Sequence, residues 1–99
     1  MAYRLANSAE RDLIDLYIDG VAHFGEAQAD KYYAGLFDTF ELLSDFPNLA
    51  RERDELTPPV RIHPHGVHII VYLIEDSDVL IVRVRHSRED WINDPVAPE

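Results

Sequence analysis

Apolar positions along this chain follow two different periods. From Ala9 onward Leu13, Leu16, Tyr17, Val21 and Phe24 recur three or four residues apart, while Glu10, Asp12, Asp15 and Asp19 lie mostly elsewhere on the helical wheel. That spacing predicts an amphipathic helix whose acids form a solvated face. Asn7 or Ser8 offers an N-cap, and Asn7 followed three residues on by Glu10 has the form of a capping box. Gly25 ends the helix, because glycine tolerates the left-handed C-terminal position best. A second stripe, Ala29, Tyr32, Tyr33, Leu36, Phe37, Phe40, Leu43 and Phe46, predicts a second helix that Pro47 stops. With so short a connection the two helices, residues 8–46, fold back as an antiparallel hairpin.

Either side of the hairpin the period becomes two. Tyr3 and Leu5 alternate with Arg4 in a short opening strand within residues 1–6, and Asn48 to Pro59 reads as a charged loop. Residues 60–87 predict three antiparallel strands punctuated by His65-Gly66 and Asp76-Ser77-Asp78. The middle strand, Val67 to Ile74, is apolar on both faces and requires cover on both. One helix hairpin covers one face, so a second protein is expected to cover the other. On the last strand Leu80, Val82 and Val84 are assigned against the helices, and Ile81, Arg83 and Arg85 to the open face. Ile70, Tyr72 and Ile74 are placed with that open set, and Arg61 is expected to join it. The expected fold class is α+β in two layers: strand, antiparallel helix hairpin, three-stranded antiparallel meander. It forms one domain over residues 1–99, in which 88–99 make a C-terminal turn, with Trp91 clamping it to the core, and a fraying tail containing Pro95 and Pro98.

Composition narrows the chemistry. Net charge is -10, yet it is divided: residues 1–50 carry nine acids against Arg4, Arg11 and Lys31, whereas 60–74 hold no acid, only Arg61, His63, His65 and His68. The segment 79–88 holds Arg83, Arg85, His86 and Arg88, again without an acid. An acidic chain is repelled by phosphate backbones at long range, so general nucleic-acid binding is disfavoured, while a basic sheet face attracts an acidic protein segment. There is no cysteine, no signal-peptide pattern and no apolar run long enough to span a bilayer, which points to the cytoplasm. His63 and His65 share a strand face and could chelate, but no acid or cysteine beside them completes a tetrahedral zinc set. Histidines at a hairpin read more simply as surface groups, partly protonated near neutrality. A nuclease could be assembled on paper from His63, His65, Arg61, Arg83 and Arg88. No nucleophile triad, phosphate loop or carboxylate pair is visible, and neither a catalytic residue, a metal nor a cofactor is expected.

Five motifs then add up. Tyr3-Arg4-Leu5, Ala9-Glu10-Arg11-Asp12-Leu13, and Phe24-Gly25 before Glu26-Ala27-Gln28-Ala29-Asp30 come first. Arg53-Asp54-Glu55-Leu56 with Pro58 and Arg61, and Val82-Arg83-Val84 with His86, Arg88, Asp90 and Trp91, follow. Their order and spacing, from Tyr3 to Trp91, resemble the ParE branch of the RelE/ParE toxins of bacterial type II toxin–antitoxin systems. The resemblance implies a RelE/ParE-like fold and a growth-arresting toxin that acts by binding, inhibiting DNA gyrase and so DNA replication. It implies neutralisation in a hetero-oligomer by a ParD-like antitoxin of ribbon-helix-helix type, with DNA met only through that antitoxin. On this basis Arg61, Ile70, Tyr72, Ile81, Arg83 and Arg85 are expected to bind antitoxin, and Arg88 and Trp91 to serve toxicity at the target. The alternative is a ribosome-dependent mRNA interferase of the RelE branch. That branch carries lysines and arginines on the second-strand hairpin and a tyrosine or histidine near the C-terminus. Here the hairpin has no lysine, Trp91 and Asn93 stand near the second position, and Arg88 alone resembles an arginine of the cleaving branch. A toxin-fold subunit that serves only in repression is the third reading.

Overall fold

The computed structural model describes residues 2–96. Its elements run β1 (Tyr3–Leu5), α1 (Asn7–Phe24), α2 (Glu26–Asp45), β2 (Glu52–Arg53), β3 (Val60–His65), β4 (His68–Glu75) and β5 (Asp78–His86). They build one mixed sheet in the order β1-β5-β4-β3-β2, with the helix hairpin packed on one side. β1 lies parallel to β5, pairing Tyr3 with Val79 and Leu5 with Ile81, while the other neighbours are antiparallel. The α+β class and the element order are those expected. The segment read as a loop after α2 contributes the additional edge strand β2, two charged residues too short to show an alternation.

Local signals act as chemistry dictates at the C-terminal ends of both helices. Gly25 takes φ +87°, and its N–H donates to Val21 O. α2 stops at Asp45 ahead of Pro47, with Phe46 N–H donating to Leu42 O. The expected capping box does not form: Ala6 is the N-cap of α1 and contributes no side chain. Ser8 is instead spent on the sheet, its hydroxyl donating to Val82 O at 2.7 Å. At the tip between β4 and β5, Asp76 and Ser77 both have positive φ, +54° and +65°, the backbone of a two-residue hairpin turn matched to strand twist.

The principal core lies between helices and sheet. Ala9 and Leu13 of α1 and Leu36, Phe40 and Leu43 of α2 pack on Ile70, Tyr72, Val79, Ile81 and Val84. This corrects the strand-face assignment. Ile70, Tyr72 and Ile81, expected on the open face, are buried beneath the helices, and Leu80 and Val82, expected there, are only half-buried. The cause is a register shift: Val71 pairs with Arg83 but Tyr72 with Ile81, so β5 carries an extra residue at Val82. A bulge breaks the period of two, and helix-facing positions fall at 79, 81 and 84. A second, smaller core fills the other face. Leu56, Val60, Ile69 and Val71 form it, with Ile62, Leu73, Trp91 and Val96 packed against them. The chain therefore supplies part of its own second cover. The tail expected to fray contributes: Pro95 is buried and Val96 packs down, while residues 97–99 lie outside the described residues.

Candidate partner surfaces and a histidine-lined hollow

Among the described residues, Asp12 and Arg83 form the most heavily bonded polar contact. The Asp12 carboxylate accepts from Arg83 Nε at 2.6 Å and Nη2 at 3.0 Å, and from the Val84 backbone N–H at 2.9 Å. Both side chains are almost fully covered, 6% and 4% exposed. Ser8 and Asp12 stand four residues apart on one face of α1, so together they engage Val82 C=O and Val84 N–H at the bulge. Arg83 thus ties α1 to β5 and is not displayed to a partner; Asp12 is no member of a solvated face.

The other expected antitoxin residues are also occupied. Tyr72 donates its hydroxyl to Pro47 O at 2.9 Å and accepts from Ala50 N–H at 3.3 Å. Arg61 pairs across from Tyr72 and donates to Ala50 O at 2.6 Å, fixing the chain after α2. Arg61, Ile70, Tyr72 and Ile81 do share a face, as grouped, but it is the face the helices close. Arg85 is the exception, opposite Ile69 of the second core. It is half-buried, with Nε donating to Glu89 at 3.1 Å and Nη1 to Asp94 O at 2.7 Å. Trp91 behaves as expected for a clamp: it packs on the second core, donates Nε1 to Ser87 O, and lies under the Arg53 guanidinium at 5.7 Å. Arg88 is exposed.

A surface absent from the sequence reading lies on α1. Ile14 and Ile18 are more than half exposed, and Val21 and Phe24 continue the ridge toward the hairpin mouth. Ile14, Ile18 and Val21 recur at intervals of four and three, so they line one side of the helix away from Leu13. Val21 and Phe24, expected on the apolar side with Leu13, stand on this exposed ridge instead, because Ile14 and Ile18 form a second stripe beside the first.

The histidines gather at the other end of the sheet and are less exposed than surface groups. His65 packs edge-on against Tyr32, and its Nδ1 lies 3.1 Å from the Thr39 hydroxyl. Tyr32 O lies 2.7 Å from His68 Nδ1 and 2.9 Å from His65 O, and the His68 ring meets His86 at 5.5 Å. Burial, and for each ring a neighbouring histidine, push the pKa values of His65 and His68 down, so both are held neutral around pH 7. Gly66 makes the approach possible: it has φ +56°, and a Cβ there would stand 2.6 Å from the Tyr32 hydroxyl. Beside this cluster, at the mouth of the helix hairpin, is a hollow of about 730 Å³ into which His68, His86 and Arg88 face from the sheet side. His63, expected as a chelating partner of His65, keeps a buried Nδ1 with no hydrogen-bond partner. Among the described residues no three His, Asp or Glu side chains converge as a metal site, and no helix is long and apolar enough to cross a membrane. The nuclease set drawn on paper is dispersed: Arg83 sits under α1, Arg61 at the α2 exit, and Arg88 beside His86.

Comparison with known proteins places the chain. The family described as "ParE toxin of type II toxin-antitoxin system, parDE" matches residues 3–91. "Toxin ParE1" of Caulobacter vibrioides (strain ATCC 19089 / CIP 103742 / CB 15) is 30% identical over 85 residues, covering 86% of this chain and 88% of that protein. A solved structure titled "Chromosomal ParDE TA system from P. aeruginosa" superposes with a TM-score of 0.75 at 19% identity, over 87% of this chain and 95% of that one, and shares its fold.

Proposed function

We propose a mechanism of action by binding for this chain, which belongs to the ParE toxin family of type II toxin–antitoxin systems. The toxin arrests growth by engaging DNA gyrase and blocking replication, and a ParD-like ribbon-helix-helix antitoxin neutralises it in a hetero-oligomer. The observation that carries this reading is the contrast between its cations and its apolar side chains. Arg61, Arg83 and Arg85 are engaged internally, whereas Ile14, Ile18, Val21 and Phe24 stand exposed on α1. Cleaving an RNA backbone needs several cations and proton-transfer groups converging on one phosphate, and Arg61 and Arg83 are held away from the histidines. Holding a protein partner needs an apolar ridge with polar groups at its rim.

The antitoxin is assigned to the α1 ridge, with the half-buried strip of Ile62, Leu73, Leu80 and Val82 on the opposite sheet face as a second contact. The titled ParDE system supports a ParD-type partner, since a toxin of this fold is there described within such a pair. Arg88 and Trp91, at the end of β5, are assigned to target engagement. Expression of this chain alone, with DNA and protein synthesis followed separately, tests the mechanism. Early loss of DNA synthesis with intact mRNA is expected; early loss of translation with cleaved mRNA overturns it in favour of an mRNA interferase.

A further inference from the structure

The hollow at the hairpin mouth brings the exposed Arg88 beside His86, a ring to which the toxin reading gives no role. Its size, about 730 Å³, lies in the range of small-molecule sites. Gly20 and Ala29 open it, since two small residues let α1 and α2 approach closely behind it: a Cβ on Gly20 would stand 3.4 Å from Ala29 Cβ. Phe24, 67% exposed, and the Tyr32 ring flank it with flat apolar surface.

The sheet end is different in kind. His86 Nδ1 accepts the Arg88 backbone N–H at 3.1 Å, so the neutral His86 ring carries its hydrogen on Nε2. The Tyr32 hydroxyl donates its one hydrogen to His65 O at 2.9 Å, so the 2.7 Å contact with His68 Nδ1 is an Nδ1–H donating to the Tyr32 oxygen. The neutral His68 ring therefore carries its hydrogen on Nδ1, and its Nε2 is an acceptor. The Arg88 guanidinium is exposed, and no carboxylate pairs with it among the described residues. The His86 Nε2–H and the Arg88 guanidinium therefore line one end of an apolar hollow, and such a pair matches the acceptor oxygens of a phosphate. On the α1 wall stands the carboxylate of Asp19, which favours a hydrogen-bond donor on the ligand away from its anionic end.

We propose that this hollow binds a small organic phosphate with a flat apolar body bearing an amino group, the chemistry of a nucleoside monophosphate. The phosphate meets Arg88 and His86, the ring lies against Phe24 and Tyr32, and the amino group points toward Asp19. The site shares Arg88 with the target assignment and Phe24 with the α1 ridge assigned to the antitoxin, and its test reads ligand binding alone.

The test is titration of the full chain with adenosine 5′-monophosphate, inorganic phosphate and adenosine, followed by amide proton–nitrogen correlation spectra near pH 7. Saturable shifts at Gly20, Tyr32, Val67 and Arg88 are expected with the monophosphate, and binding about tenfold weaker or more for either half-molecule. Arg88→Ala, at an exposed position, should keep the spectrum of the folded chain elsewhere and lose about tenfold in affinity or more. Phe24→Ala should weaken the monophosphate while leaving inorganic phosphate unchanged. No saturable shift up to about 10 mM overturns the proposal. So does equal binding of monophosphate and inorganic phosphate, or unchanged monophosphate affinity in Arg88→Ala.

Discussion

The two faces of the sheet are closed in different ways. On one face, two long helices lay down Ala9, Leu13, Leu36, Phe40 and Leu43 over Ile70, Tyr72, Val79 and Ile81, and a buried ion pair fastens α1 to the β5 bulge. On the other, cover comes from Leu56 of a loop and Trp91 and Val96 of the C-terminal turns, leaving Leu73, Leu80 and Val82 half-buried. A helix presents a whole stripe at once, so its contacts are cooperative. A loop brings one side chain at a time and must be ordered residue by residue. The first face makes the fold; the second is completed thinly enough for a partner to add to it.

The largest loss is expected where the helix-covered face depends on a charge. Asp12→Ala leaves the Arg83 guanidinium buried without its carboxylate and deprives Val84 N–H of its acceptor. Removing one partner of a buried pair costs about 3–5 kcal/mol, a large share of the stability of a small domain. Urea denaturation should show this as an early midpoint. The double variant Asp12→Leu with Arg83→Met should recover much of the loss, because apolar groups of similar volume carry no unpaired charge. A double variant no better than Asp12→Ala would mean that the Val84 N–H contact, rather than the charge, holds α1 to the bulge.

Trp91→Ala makes the parallel cut on the other face and should cost less, about 1.5–3 kcal/mol. The indole is only half-buried, and the turn that carries it can be lost without unpacking the helices. The same denaturation series checks it, and the chain should remain folded. A loss equal to that of Asp12→Ala would erase the distinction between a face that makes the fold and one that completes it.

The difference between the faces explains what the sequence disclosed. The helix hairpin was legible because Gly25 and Pro47 punctuate two stripes of helical period, and the β4–β5 turn because Asp76-Ser77 is turn chemistry. The family was legible because its motifs recur in order from Tyr3 to Trp91, as the match over residues 3–91 bears out. Which strand residues face the helices was not legible. An alternation counted along Leu80 to Arg85 assumes an unbroken strand, and the extra residue at Val82 reverses the phase. Asp12 was misread for a related reason. On the helix alone it is one acid among several, and its partner Arg83 lies 71 residues away. The exposed ridge is hard to see because Ile14 and Ile18 run directly beside Leu13, Leu16 and Tyr17, and Val21 and Phe24 fit the spacing of either stripe. The histidines looked like surface groups because nothing local shows that Tyr32 packs over their hairpin.

Acid should act on the helix-covered side through those histidines, with a smaller effect than either substitution. His65 and His68 have pKa values below the ordinary histidine value, chiefly through burial and also through neighbouring histidines. Facing them are Tyr32 and Thr39 of α2, His63 of β3 and His86 of β5, with Glu89 as the nearby acid favouring charge on His68. The unfolded chain takes up these protons first. Stability is therefore fully present above the unfolded value of about 6.5 and falls as pH drops from there through the lower folded values. Denaturation midpoints at pH 7.5 and 5.5 should differ in that direction, and His68→Gln should reduce the difference. Glu55, held down to about 2 chiefly by its hydrogen bond from Arg53, stays ionised over this range and does not contribute. Equal midpoints in the unmodified chain would mean that the histidines titrate as freely in the fold as outside it.

Ile18→Lys should change stability least and partner binding most. Ile18 is 59% exposed on α1, so the substitution removes little buried area. Lysine is a better helix former than isoleucine, and at position 18 it stands three residues after Asp15, an attractive spacing. The denaturation midpoint should correspond to a change within about 0.5 kcal/mol, as at ordinary surface positions. Antitoxin bound across Ile14, Ile18 and Val21 would have to desolvate the new ammonium in the middle of an apolar contact, so the complex should dissociate faster. Surface plasmon resonance of the ParD-like partner against the two chains reads that rate directly. If Ile18→Lys binds unchanged while Leu80→Lys does not, the partner sits on the thinly covered sheet face and α1 is merely a solvated helix. If both bind unchanged, neither face receives it.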